Sequence, residues 1–233
     1  MKKTSCAVLL TAVCISLSLS TSSHSAPLSP TRLDSCSCQA DDGTCSATVT
    51  CSGGCNRYCG NDDNCWAECS GFFSTLAAET NLEISYGTYS QLVAQLAQIS
   101  GRDIAFSTSR NNTQRSDTIT NLGFKKAPLW SALEFLSDRG TVRIGGKDFD
   151  SLRRLRKALL AGERVNFGIR NTPVNTFVTD LTGLTGLPFR ITSGRQMALT
   201  NVELSQANLT EIVNKVSEQT GTRIVPGNEG ANP

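Results

Sequence analysis

Histidine is almost missing from this chain: His24 is the only one in 233 residues, and it falls in a leader expected to be removed. That excludes imidazole chemistry from the mature chain, including Ser-His-Asp hydrolysis, Cys-His proteolysis and His-ligated metal catalysis. Aromatic residues are scarce at 6%. No charge dominates, since 22 Lys and Arg stand against 20 Asp and Glu, and losing Lys2 and Lys3 with the leader makes the balance zero. A generalised nucleic-acid binder needs a positive excess to neutralise phosphates, so no nucleic acid is expected as a partner. No apolar run reaches the ~20 residues of a bilayer-spanning helix, so no transmembrane segment is expected in the mature chain. C-x-x-C spacing is absent beyond residue 26, which removes support for thioredoxin-like redox chemistry and ordinary zinc ribbons. What is present, 39% hydrophobic and 18% charged residues, is too apolar for wholesale disorder and suffices for one or two modest cores.

Residues 1–26 begin with Lys2 and Lys3, continue through an apolar stretch from Ala7 to Leu19, and end in small polar residues up to Ala26. This is the layout of a secretory signal, with Ser23-His24-Ser25 placing cleavage near Ser25 or Ala26. Lipidation at Cys14 is disfavoured, because Val13 stands where a small residue is needed and Thr11 where a branched apolar one is. Removing the leader also removes Cys6 and Cys14. The eight remaining cysteines, Cys36, Cys38, Cys45, Cys51, Cys55, Cys59, Cys65 and Cys69, lie within one short segment. An even number together with export predicts disulfides, here as staples for a segment too small to own a core. Connectivity is open among 105 pairings for eight cysteines.

Alternation around Asp42-Gly43 predicts a stapled hairpin over Ser35 to Thr50. Beyond it, Cys51, Cys55 and Cys59 recur every four residues, as do Cys65 and Cys69, which predicts one or two short helical turns. The segment from Pro27 to Thr80 holds seven acids against Arg32 and Arg57, while the rest from Asn81 holds eighteen bases against thirteen acids. The two parts are electrostatically complementary.

After Asn81 the pattern recurs. Leu82-Glu83-Ile84 alternates as a strand, and Tyr89, Leu92, Val93, Leu96 and Ala97 follow at the spacing of a buried helical face. At an offset of 85 residues, Phe167-Gly168-Ile169 is followed by Val174, Phe177, Val178 and Leu181. Gly101 and Gly186 close these helices ahead of the strands Ile104-Ala105-Phe106 and Phe189-Arg190-Ile191. At an offset of 80, Ile119, Leu122 and Phe124 answer to Leu199, Val202 and Leu204. The stripe Leu129, Ala132, Leu133, Leu136 answers to Leu209, Ile212, Val213, Val216, and strands at Val142 to Ile144 and Arg223 to Val225 end the units. Thr172-Pro173 predicts an N-cap with proline at the first helical position, and Asn208 with Glu211 a capping box. Gly183 costs ~1 kcal/mol relative to alanine inside its helix, so fraying or an early stop is expected there.

The stretches "TYSQLVAQLAQISGRDIAF" and "TNLGFKKAPLWSALEFLS" resemble the short N-terminal domain shared by secretins and TonB-dependent receptors. "NTPVNTFVTDLTGLTGLPFRI" with "TNVELSQANLTEIVNKVSEQTGTRI" is similar to a more diverged copy. The resemblance covers roughly residues 82 to 145 and 165 to 225. It implies two helices between small sheets, acting as a periplasmic docking or signalling module ahead of an outer-membrane barrel. It carries over no catalytic residue and no cofactor. The chain departs from that layout in its cysteine segment and in having no barrel strands before Pro233.

The expected fold class is thus α+β, with two tandem strand-helix-strand-strand-helix-strand units behind a disulfide-rich module. The expected divisions are signal peptide 1–26, cysteine module 27–80, first unit 81–146, linker helix 147–163, second unit 164–226 and flexible tail 227–233. The linker helix sets Leu152, Leu155 and Leu159 against Arg153, Arg154 and Lys157, a basic face that suits an acidic partner or an anionic surface; solvation or contact with the acidic module is the plainer role. Trp66 and Trp130 suit interface anchors or, more simply, packing. Gly145-Gly146-Lys147 lacks the spacing of a phosphate loop and reads as a turn. Asp148 with Asp150, and Asp62 with Asp63, suit capping and turns better than calcium. Together these features predict a non-enzymatic, exported docking or adaptor protein, periplasmic or outer-membrane-associated, whose partner is an envelope protein such as a secretin, receptor or signalling component. The alternative is a ligand- or metal-binding secreted protein acting through its cysteines.

Overall fold

A computed structural model describes residues 33–61, 64–108 and 118–227. The predicted leader with Cys6, Cys14 and His24, the pair Asp62 and Asp63, and most of the predicted tail lie outside the described residues. The described residues form one compact unit of mixed α+β structure.

The cysteine segment is built of strands. β1 (Asp34–Gln39) and β2 (Ser46–Cys51) form the predicted hairpin, in antiparallel register from Asp34 with Cys51 to Gln39 with Ser46. Its turn uses Gly43 at φ 71° and the Asp42 carboxylate, which accepts the Thr44 N–H at 3.0 Å. The predicted helical turns are instead β3 (Cys55–Cys59) and β4 (Cys65–Cys69), a second hairpin. A four-residue spacing fits one face of either a helix or a strand; Tyr58 and Trp66, paired across the ladder, tip the choice toward the sheet.

α1 (Phe72–Ala77), which the sequence pattern does not announce, leads into the longer part of the fold. There β5 (Glu79–Thr88), α2 (Tyr89–Ser100), β6 (Ile104–Thr108), β7 (Thr118–Pro128), α3 (Leu129–Ser137) and β8 (Gly140–Ile144) follow in order. β9 (Lys147–Asp148) and α4 (Phe149–Leu160) come next. β10 (Val165–Pro173), α5 (Val174–Thr185), β11 (Phe189–Ser193), β12 (Leu199–Ala207), α6 (Leu209–Thr220) and β13 (Arg223–Pro226) complete the chain. Within each set of six the first strand pairs with the third and the second with the fourth, all antiparallel: β5 with β7 and β6 with β8, β10 with β12 and β11 with β13.

The two long ladders share a local device. Lys126 in β7 and Gln206 in β12 take left-handed backbone, φ 50° and 51°. Their N–H groups are accepted by Asn81 Oδ1 at 3.1 Å and Asn166 Oδ1 at 3.0 Å, each beside a shift in register. An asparagine opposite the bulge thus supplies the acceptor that the interrupted ladder withdraws.

The sheets end differently. β5 and β7 make a sheet of two strands, whereas β10 takes β3 on its free side to give the order β12-β10-β3-β4. The described residues of the expected cysteine module, 27–80, pack against the rest of the fold. Their second hairpin extends the β10–β12 ladder, and Tyr58, Trp66, Phe72 and Phe73 join the same buried apolar cluster as Leu92, Phe149 and Phe177. The boundary at 80 falls inside β5.

Helix ends follow local chemistry. Asn208 and Glu211 form the expected capping box on α6, and Thr88 with Gln91 forms one on α2. At α5 the expected cap is displaced: Pro173 occupies the cap position with extended backbone, and the buried Thr172 donates to the Arg170 carbonyl at 3.0 Å. α5 does not fray at Gly183. A Cβ there would meet the Phe73 carbonyl oxygen at 2.0 Å, so the missing side chain admits the backbone of α1 against α5.

Candidate docking site

All eight cysteines are paired as Cys36–Cys55, Cys38–Cys59, Cys45–Cys65 and Cys51–Cys69, with sequence separations of 18 to 21. Each bond ties the first hairpin to the second in the same order along the chain. The segment's own cores consist largely of these sulfurs, one around Cys36, Cys51 and Cys55, the other around Ala40, Cys59 and Cys65. With every cysteine in a disulfide, the segment offers no thiolate to a soft metal, and no metal-binding cluster of side chains occurs among the described residues.

The charge complementarity between the cysteine segment and the rest is realised as contacts. Glu68 on β4, 6% exposed, meets Arg102 at 3.1 Å and Lys147 at 3.0 Å. Lys147 also lies 5.2 Å from the Trp66 ring. Gly145 and Gly146 form a turn with positive φ, 55° and 79°, between β8 and β9, so Lys147 serves an intramolecular carboxylate. Asp148 caps α4, accepting the Asp150 N–H at 3.0 Å. On β10, Arg170 meets Glu203 of β12 at 2.7 Å, which holds the Glu203 carboxyl below the usual range, with Arg57 adding to the effect from 3.0 Å.

A buried carboxylate joins three elements. Asp180 on α5 is fully buried and accepts from Asn56 Nδ2 at 2.9 Å, the Gly71 N–H at 2.7 Å and the Ser74 N–H at 3.0 Å. Burial pushes its carboxyl up to about 6 against the pull of these donors. It closes the N-terminus of α1, where Gly71 has no side chain to do so. Burial also drives the neighbouring Tyr58 phenol up, so its hydroxyl stays neutral.

The basic helix α4 packs its leucine stripe inward. Leu152, Leu155 and Leu159 are at most 1% exposed, and Arg153, Arg154 and Lys157 lie opposite. The three differ. Arg153 reaches the C-terminus of α3, donating to Ser137 Oγ at 3.0 Å and meeting Asp138 at 3.2 Å and Asp150 at 3.3 Å. Arg154 is exposed and donates to the nearby Ser151 Oγ at 3.1 Å, and neither it nor the exposed Lys157 has an ion pair among the described residues. Arg156, absent from the basic face expected from the sequence, adds a fourth cation. Its guanidinium sits 4.5 Å over Trp130, and burial lowers its proton affinity while Glu134 opposes that. Trp130, 3% exposed, packs on Phe149 at 5.2 Å and belongs to the core; Trp66 is 1% exposed and stacks on Phe72. Neither tryptophan is an exposed anchor.

These cations line an open groove of about 600 Å³ together with Glu134, Asp150 and the half-exposed Leu160. Two cations are held by structure, two are free to turn outward, and an apolar rim lies beside them. Such an arrangement suits carboxylates on a flexible segment. Among the described residues no helix is long and apolar enough to cross a membrane. Compared with protein-family models, with characterised proteins and with solved structures, the chain finds no match.

Proposed function

We propose that this chain is an exported docking or adaptor protein of a cell envelope, related to the short N-terminal domains of secretins and TonB-dependent receptors, and that it acts by binding. Four disulfides support an oxidising compartment, and the leader-like residues 1–26 add export. The observation that carries the reading is the α4 groove, where Arg154 and Lys157 stand open beside the anchored Arg153 and Arg156. The partner it fits is an acidic segment of an envelope protein. The alternative is a ligand- or metal-binding secreted protein acting through its cysteines; pairing of the eight cysteines in disulfides favours docking over its metal-binding form.

The test reverses only the open charges. Arg154→Glu with Lys157→Glu should leave the melting temperature nearly unchanged, because exposed charges contribute little. Capture of the envelope partner should weaken, and only the wild-type interaction should fall steeply with salt. Unchanged capture would remove the groove from the account. Arg153 is left in place, since its reversal would set a carboxylate against Asp138 and Asp150.

A further inference from the structure

The two long ladders correspond position by position around their bulges, with Asn81 and Lys126 in one and Asn166 and Gln206 in the other. On β10, the run from Asn166 to Arg170 is covered by β3, from Cys59 to Cys55. The run at the same distance from the bulge asparagine of β5 is Asn81 to Ser85, and among the described residues nothing pairs with its free side. In the middle of the covered row, Gly168 lies between Glu203 of β12 and Arg57 of β3. Arg57 crosses the glycine to reach Glu203 at 3.0 Å, and a Cβ at 168 would strike the Arg57 side chain. In the open row the glycine and the glutamate are exchanged: Gly123 of β7 faces Glu83 of β5. Glu83 therefore stands on the edge strand itself, with a side chain 70% exposed and, among the described residues, only Lys125 as an ion-pair partner, at 3.9 Å. Leu82 and Ile84 on either side of it are buried.

We propose that the Asn81 to Ser85 edge of β5 accepts an extended segment of a partner protein, in the antiparallel register that β3 takes on β10. The segment carries an arginine or lysine opposite Glu83 and apolar residues opposite Leu82 and Ile84. This deepens the docking reading and rests on it. An unpaired strand edge offers backbone donors and acceptors to a further strand. Residues directly opposite share a face, so a basic residue meets Glu83 while its neighbours extend the apolar side, as Arg57 and Tyr58 do on β10. Charge decides the occupant: a second copy pairing about the centre of this run would set Glu83 against Glu83.

The test uses the full chain and two short end-blocked peptides that alternate valine and threonine, one with a central arginine and one with a central glutamate. The arginine peptide should slow amide exchange in β5 and bind more tightly than the glutamate peptide by on the order of tenfold at low salt. Glu83→Lys, at an exposed position, should fold and invert that preference. Equal binding of the two peptides, or no slowing within β5, overturns the inference. Concentration-dependent dimerisation that protects β5 without peptide overturns it too, by giving the edge to a second copy. The Arg154→Glu, Lys157→Glu variant separates the two proposals. Peptide binding that survives while partner capture is unchanged removes the groove alone; partner capture that depends on the groove while β5 ignores both peptides removes the edge alone.

Discussion

The second half of the longer region and the first half meet their surroundings in opposite ways. β10 is covered by a disulfide-stapled hairpin, and α5 by α1; β5 and α2 carry no such cover among the described residues. The side chains follow. Asp180 and Gly183 face α1 across α5, whereas Gln95 and Gln98, at the corresponding turns of α2, face solvent. A helix face that receives another backbone needs a gap and an acceptor for that backbone's N–H groups, and a face that receives water needs neither. The disulfides thus do more than hold a small segment together. They present a strand, β3, to a sheet that would otherwise end at β10.

The contrast breaks most severely at Asp180. Asp180→Ala should cost roughly 3 kcal/mol or more in denaturant unfolding, because the Asn56 amide and the Gly71 and Ser74 N–H groups lose their acceptor inside the protein. Gln95→Ala should stay within about 0.5 kcal/mol of wild type. The same carboxyl gives a pH signature. Its folded value of about 6 lies above the ordinary 3.8, so the fold binds this proton more tightly than the unfolded chain does. The stabilisation is fully present below about pH 4 and lost as pH rises through 6, an amplitude of about 3 kcal/mol. Asp180→Asn should flatten that slope in melting experiments.

Gly183→Ala comes next. A Cβ at 2.0 Å from the Phe73 carbonyl forces α1 away and should cost roughly 2 kcal/mol, despite the ~1 kcal/mol that alanine gains in a helix. The smallest effect compares the exchanged glycines. Gly168→Ala displaces Arg57 from Glu203 and should cost about 1 kcal/mol, while Gly123→Ala meets open space and should be neutral by the same melting assay.

Much of this was legible in the sequence where the signal is local. The apolar periodicity of α2, α3, α5 and α6, the Asp42-Gly43 turn, the Asn208–Glu211 box and the oxidised state of the eight cysteines all depend on neighbours along the chain. What the sequence hid depends on partners far away. Cysteines four apart satisfy both helical and strand periods, so β3 and β4 appear only once their pairing is seen. Gly183 looks like a weak point in a helix until Phe73 stands against it. Asp180 carries no sequence signal beyond its place three residues before that glycine, on the same face. Within the candidate site, Arg153, Arg154 and Lys157 share a helix face as their spacing requires, but only the fold separates the anchored Arg153 from the two open cations and brings in Arg156 over Trp130.

The most direct test of the claim that the stapled hairpin belongs to the second half's sheet is amide exchange with and without full reduction of the disulfides. Reduction should strip protection from Asn56 to Tyr58 and from Phe167 to Ile169 together, because these residues pair in one ladder, while Leu82 to Ile84 lose much less. Protection retained at Phe167 to Ile169 after β3 and β4 have lost theirs would contradict the account and restore the cysteine segment as a separate body.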